Sequence, residues 1–176
     1  MSSGSLYDLA ASTLSALGDR TVATAESLTG GLISAALTEV PGASRVFRGS
    51  IVCYASEVKI STLGVDAELI ASGGAVQEAV ALQMAQGACS LLGSDFGLAV
   101  TGVAGPAPQD GQQPGTVCIA VVEASDSGEV VSSRAETLSI NLDGVAPAAQ
   151  RAYIRNYTVE YGLDLLKSMA LGQVPE

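Results

Sequence analysis

Short β-branched runs alternate along this chain with alanine-rich helical patterns, and glycine stands at most of the junctions. Leu6, Leu9, Ala10, Leu14 and Leu17 fall at helical spacing, and Gly18 ends that helix. Thr21 to Thr24 then reads as a strand and Leu32 to Glu39 as a helix stopped by Pro41-Gly42, which makes a βα unit. Arg45 to Tyr54 is aromatic and β-branched enough for a second strand, with Gly49 marking a bulge or a close approach. Short helices are predicted over Val58 to Leu63 and Ala67 to Ala71. A longer one follows over Gln77 to Leu92, with Ala81, Met84, Ala85, Ala88 and Leu92 as its inner stripe. Phe96 to Val100 is a short buried strand, and the polar loop that follows, as far as Pro114, has the composition of a mobile segment or lid. Gly115 to Glu123 and Val130 to Ile140 form a hairpin about Asp126-Ser127-Gly128, and the chain is helical from Val145 to near Leu171. Helices interleaved with strands, plus one late hairpin, predict an α/β fold, a layered sandwich of helices around a mixed β-sheet, in a single domain over residues 1–176.

Composition narrows the chemistry. The chain has no histidine, which removes every Ser-His-Asp and Cys-His arrangement and most catalytic zinc sites. A serine nucleophile here must use a lysine, a tyrosinate, a carboxylate or a chain terminus as its base. Only two lysines exist, and Lys167 lies in the C-terminal helical pattern, so Lys59 is the one in the body of the chain. A formal charge of −10 argues against a nucleic-acid or anionic-membrane surface, yet leaves room for a small anionic ligand held by one or two placed cations. No apolar run reaches membrane-span length, and Met1-Ser2-Ser3-Gly4-Ser5 lacks the basic and apolar regions of a signal peptide, so a cytoplasmic protein is expected. Cys53, Cys89 and Cys118 sit in apolar stretches without Cys-x-x-Cys spacing and read as buried free thiols.

The stretch Ala25-Glu26-Ser27-Leu28-Thr29-Gly30-Gly31 occupies the turn between the first predicted strand and its helix. A serine there can present its hydroxyl outward, and the Gly30 and Gly31 N–H groups are candidates to receive an oxyanion or a phosphate. The plainer reading makes Ser27 or Thr24 an N-cap with packing glycines beside it. Tyr54 closes the second strand and Lys59 sits about one turn into the following helix, which Ala55-Ser56-Glu57 is expected to cap. If Ser27, Tyr54 and Lys59 converge, a neutral Lys59 amine can take the serine proton directly or through the Tyr54 hydroxyl. The alternative pairs Lys59 on the surface with a carboxylate such as Glu57. Four residues separate Tyr54 from Lys59 and no Gly-x-Gly-x-x-Gly follows the first strand, which rules out a short-chain dehydrogenase. The Thr101-Gly102-Val103-Ala104-Gly105-Pro106 and Gly115-Thr116 turns read either as anion nests or as ordinary tight turns. Arg151 and Arg155 lie one helical turn apart, as a phosphate clamp or as solvated charges, and Tyr153, Tyr157 and Tyr161 form a stripe suited to a core or subunit contact.

Taken in order, Ala25 to Gly31, Tyr54-Ala55-Ser56-Glu57-Val58-Lys59, Gly74-Ala75-Val76, Thr101 to Pro106 and Gly115-Thr116-Val117 resemble the CinA C-terminal domain family from about Leu6 to Leu166. The resemblance implies a stand-alone nicotinamide mononucleotide amidohydrolase that converts the carboxamide to nicotinate and releases ammonia. It also implies an α/β fold, no cofactor and no metal, a small-molecule nucleotide substrate, and a homodimer. The family's serine, tyrosine and lysine map to Ser27, Tyr54 and Lys59. Gly30 and Gly31 are the expected oxyanion donors; Glu26, Thr29, Thr101, Gly102, Gly105, Thr116 and Arg151 are expected to bind substrate. The chain departs from the family's usual pattern at Ala55, Ser56, Gln77, Ala107-Pro108 and Gln150. Two other readings stand beside this one: a related amidase with another substrate, and a non-catalytic nucleotide-binding or interaction module.

Overall fold

A computed structural model describes residues 5–125 and 127–173; Met1 to Gly4 of the signal-peptide reading and Asp126 of the expected turn lie outside the described residues. The chain opens with α1 (Leu6–Leu17), where the Ser5 hydroxyl accepts from Asp8 N–H while the Asp8 carboxylate accepts from Ser5 N–H. The elements β1 (Val22–Glu26), α2 (Leu32–Thr38), β2 (Phe47–Val52), α3 (Ser56–Leu63), α4 (Ala67–Gly73) and α5 (Glu78–Leu92) follow. The second half contains β3 (Phe96–Gly102), the hairpin β4 (Thr116–Ala124) and β5 (Val130–Ser139), and the long α6 (Pro147–Ala170).

The five strands form one mixed sheet in the order β2-β1-β3-β4-β5. The first two pairings are parallel and the last two antiparallel. Two expected strands shift at their ends for a pairing reason. β1 runs on to Glu26 because Ala25 and Glu26 are paired on both sides, with Ile51 and Val52 and with Ala99 and Val100. β2 starts late because Ala43 to Arg45 turns as a short 3₁₀ segment, and Arg48 is the extra residue of a bulge between Phe47 and Gly49.

Alternation along the strands divides the core in two. Val22, Phe96, Leu98, Val100, Val117, Ile119 and Val121 pack toward α1, α2 and α6. Ala23, Ala25, Ala99, Cys118, Ala120 and Val122 pack toward α5 and its neighbours. The small residues on that second face let α5 lie close to the sheet. A Cβ on Gly97 would stand 2.1 Å from the Ala85 carbonyl oxygen, and one on Gly87 of α5 would stand 2.1 Å from that of Leu63. All three cysteines are buried and free. Tyr157 and Tyr161 are half-buried against the first core with their rings stacked at 6.4 Å, whereas Tyr153 is exposed. Among the described residues, no helix is long and apolar enough to cross a membrane.

The parallel strands β1, β2 and β3 end at one edge of the sheet. The chain leaves β1 for α2 on one face and leaves β2 for α3 to α5 on the other. Such a switch of face opens a crevice beyond the carboxyl ends of the strands. We expect Gly97→Ala to destabilise the fold by roughly 1–3 kcal/mol through overpacking of α5, a loss that thermal denaturation will register as a lower Tm.

Candidate active site

β1 delivers Ser27 to that crevice. Its N–H still donates to the Val100 carbonyl at 3.1 Å, so the serine is anchored to β3 although it lies one residue past the strand. The chain then turns through Gly30 (φ 61°) and Gly31 (φ 99°), a left-handed path that glycine adopts without strain. Neither Ser27 nor Thr24 caps α2, whose N-cap is Gly31. The capping group is the fully buried Glu26, which reaches forward from the strand. Its carboxylate accepts from the N–H groups of Gly31 at 2.9 Å, Ile33 at 3.1 Å and Ser34 at 2.8 Å, and from the Ser34 hydroxyl at 2.9 Å. An internal anion therefore holds the helix N-terminus that the sequence suggested for a ligand.

Lys59 enters from α3, whose N-cap, Ala55, makes no side-chain capping bond. The lysine is 1 % exposed, so it is not a surface partner of Glu57, and no carboxylate pairs with it among the described residues. Its Nζ lies 3.0 Å from Ser27 Oγ, 2.7 Å from the Cys53 carbonyl oxygen and 3.2 Å from that of Tyr54. Burial pushes the Lys59 pKa below its ordinary value of 10.5, and the nearby Cys53 only partly opposes this. When the amine is neutral, its two N–H groups can serve the two carbonyls while its lone pair faces the serine hydroxyl.

The Tyr54 phenol does not stand between serine and lysine. Tyr54 is 64 % exposed, and its hydroxyl accepts from Arg151 Nη2 at 3.4 Å; only its backbone carbonyl meets Lys59. Arg151 also donates to the Gly105 carbonyl at 2.8 Å, bridging α6 to the loop after β3. These groups border a cleft of about 350 Å³. Ser27, Ser56, Lys59, Thr101, Gly102 and the stretch from Val103 to Gln109 line it, together with Ala75 and Val76. The loop expected to be a mobile segment or lid lines the cleft from Val103 to Gln109, and next to that stretch the Asp110 carboxylate accepts from Ala75 N–H at 3.3 Å.

The expected site thus divides. Ser27, Tyr54, Lys59, Thr101, Gly102, Gly105 and Arg151 line the cleft; Glu26, Thr29, Gly30, Gly31 and Thr116 do not. Gly30 N–H donates to the Ser27 carbonyl at 3.2 Å and Gly31 N–H to Glu26, so both proposed oxyanion donors are spent inside the turn. Thr116 N–H donates to the Gln113 carbonyl, as an ordinary turn requires. The Thr101 hydroxyl donates to the Ala75 carbonyl at 3.0 Å, which leaves its lone pairs for a ligand. Leu28, Ala104 and Gly105 line the cleft, and their N–H groups have no acceptor among the described residues. They are the better oxyanion candidates, and Leu28 could have been nominated from sequence because it directly follows the serine. Of the departures from the family's usual pattern, Ser56, Ala107 and Pro108 line the cleft. Gln77 lies behind it, its amide donating to the Leu69 and Gly74 carbonyls.

Comparison with known proteins decides the family. The CinA C-terminal domain model matches residues 6–170. This chain belongs to the CinA C-terminal domain family. A CinA-like protein of Frankia casuarinae is 49 % identical over 152 residues, which is 86 % of this chain and 32 % of that protein. A putative competence-damage inducible protein of Bacillus velezensis is 42 % identical over 149 residues, 85 % of this chain and 33 % of the relative. The chain therefore spans about a third of the length of these curated CinA relatives. The crystal structure of the competence/damage inducible protein CihA from Agrobacterium tumefaciens superposes with a TM-score of 0.81 at 35 % identity, covering 98 % of this chain and 100 % of that one. A CinA superfamily protein from Klebsiella pneumoniae gives 0.84 at 25 % identity, covering 96 % and 99 %.

The lowered Lys59 pKa sets the sign of a stability effect. Between its folded and unfolded values the unfolded chain holds one more proton, so stability falls as pH drops from about 10.5 through that window and the loss is complete below the folded pKa. Urea unfolding across alkaline pH should show this slope, and Lys59→Met should flatten it.

Proposed function

We propose that this domain hydrolyses the carboxamide of nicotinamide mononucleotide to nicotinate mononucleotide and ammonia through an acyl-enzyme on Ser27. The observation that carries the reading is the 3.0 Å contact between Ser27 Oγ and a buried lysine amine that no carboxylate among the described residues neutralises. Neutral Lys59 takes the hydroxyl proton as Oγ bonds to the carboxamide carbon, and the carbonyl oxygen becomes an oxyanion. The Leu28 N–H and those of Ala104 and Gly105 are the donors available to it, each contributing roughly 3 kcal/mol to lowering the barrier. Collapse breaks the C–N bond, and Lys59 returns its proton to the departing nitrogen, which leaves as ammonia. Water then attacks the acyl carbon while Lys59 accepts one of its protons. Breakdown of that second intermediate regenerates the serine hydroxyl and frees the carboxylic acid.

Charge and shape favour a nucleotide of this kind. In a chain of net charge −10, no carboxylate lines the cleft among the described residues; its two basic side chains are Lys59, whose amine burial biases toward the neutral form, and the exposed Arg151, which carries the positive charge. Arg151 meets the phosphate, Val76 and Pro106 flank the pyridine ring, and the Tyr54 phenol orients the ligand beside Arg151 instead of relaying a proton. The work is done by the protein's own groups without a cofactor.

Ser27→Ala should still bind nicotinamide mononucleotide, by calorimetry, while ammonia release falls roughly 10⁴-fold or more. Unchanged turnover contradicts the mechanism. A protein that binds the nucleotide without ever releasing ammonia is a binding module, and release from other nucleotide amides alone marks a related amidase. Arg151→Ala should raise KM by roughly tenfold with little change in kcat, as loss of a ground-state charge contact does.

A further inference from the structure

Arg151 and Arg155 lie one turn apart on α6, yet the fold puts them to different uses. Arg151 is exposed and lines the cleft. Arg155 is half-buried and does not; its Nε donates to the Leu28 carbonyl at 3.0 Å and its Nη2 to the Thr29 carbonyl at 2.9 Å. These are the first two carbonyls after Ser27, and the cation reaching them comes from more than 120 residues further along the chain. On the donor side of the same turn, the Glu26 carboxylate holds the N–H groups of Gly31, Ile33 and Ser34. The segment carrying Ser27 is thus gripped by an anion on its N–H groups and by a cation on its carbonyls.

We propose that Arg155 is a positioning residue, its guanidinium fixing the Leu28 and Thr29 peptide planes so that Ser27 Oγ stays within reach of Lys59 Nζ. The rigid fork of a guanidinium suits two neighbouring carbonyls, whereas an ammonium donates from a single point. Fixing the Leu28 carbonyl restrains the torsions between it and the Ser27 N–H, which β3 already holds, so the serine is anchored on both flanks. The assignment rests on the serine-hydrolase reading above and adds that the supposed phosphate clamp has one arm for ligand and one for the nucleophile.

The test is the rate at which a fluorophosphonate modifies Ser27 in the full chain, followed by peptide mass spectrometry. The serine oxygen displaces fluoride from phosphorus and its proton passes to Lys59, so the rate reports the serine–lysine geometry whatever the natural substrate. Arg155→Ala should label roughly 10- to 100-fold more slowly than wild type, the cost of a small misplacement. Its pH profile should keep the wild-type midpoint, and millimolar guanidinium should restore part of the rate. Arg155→Lys should fall between the two. Wild-type labelling by Arg155→Ala overturns the proposal, as does slowing that guanidinium fails to relieve. If Arg155→Ala does not fold, Arg155→Lys decides: slower labelling at unchanged Tm supports the role, and the wild-type rate overturns it. Failure of the wild-type protein to label at Ser27 is a separate result that removes the hydrolase reading, and the positioning role with it.

Discussion

A lysine amine enclosed at the carboxyl edge of the sheet, 3.0 Å from a serine oxygen, is the interaction around which this molecule is arranged. Burying an amine without a carboxylate is costly, and the protein meets the cost with the carbonyls of Cys53 and Tyr54 and by favouring the uncharged state. Those carbonyls are available because β2 ends at Val52 and the chain bends through Cys53 and Tyr54 into α3. The serine is available because β1, paired on both sides, carries it to the same edge. Fold and chemistry meet at one point, where two parallel strands end together.

The second organising feature is the separation of charge. Glu26, the residue just before Ser27, is fully buried, but its carboxylate is turned into the α2 N-terminus, where three N–H groups and the Ser34 hydroxyl donate to it. That arrangement keeps an acid out of the cleft and removes the most obvious anion site of the fold. The cationic side chain left at the cleft for an anionic ligand is that of Arg151. In this family member the glycines of the turn serve the backbone path and the cap, and the N–H groups left without acceptors among the described cleft residues include that of Leu28, after the serine, and those of Ala104 and Gly105, in the loop beyond β3.

Most of the architecture was legible in the residues. The period-two runs and alanine-rich helical stripes gave the element types and the mixed sheet, since each pattern suits one kind of burial. Strand ends were harder: Ala25 and Glu26 look like turn residues until both neighbouring strands pair with them. The convergence of Ser27 with Lys59 depended on tertiary placement that local pattern does not encode, and the family resemblance supplied it. The Glu26 cap escaped notice because it acts across five to eight residues, outside the spacing of an ordinary N-cap. Arg151 and Arg155 looked equivalent on one helix face; only the path of the two loops beneath them shows that one meets the cleft and the other the turn.

The central claim is that Lys59 presents an uncharged amine to Ser27 at working pH. Nitrogen NMR of protein carrying ¹⁵Nζ-labelled lysine tests this most directly, because the chain has two lysines and Lys167→Arg leaves the Lys59 resonance alone in the spectrum. The account predicts that this resonance titrates below the ordinary lysine value of 10.5 and shifts when Ser27 is replaced by alanine. Titration at or above that value, with no response to the Ser27 substitution, would contradict it.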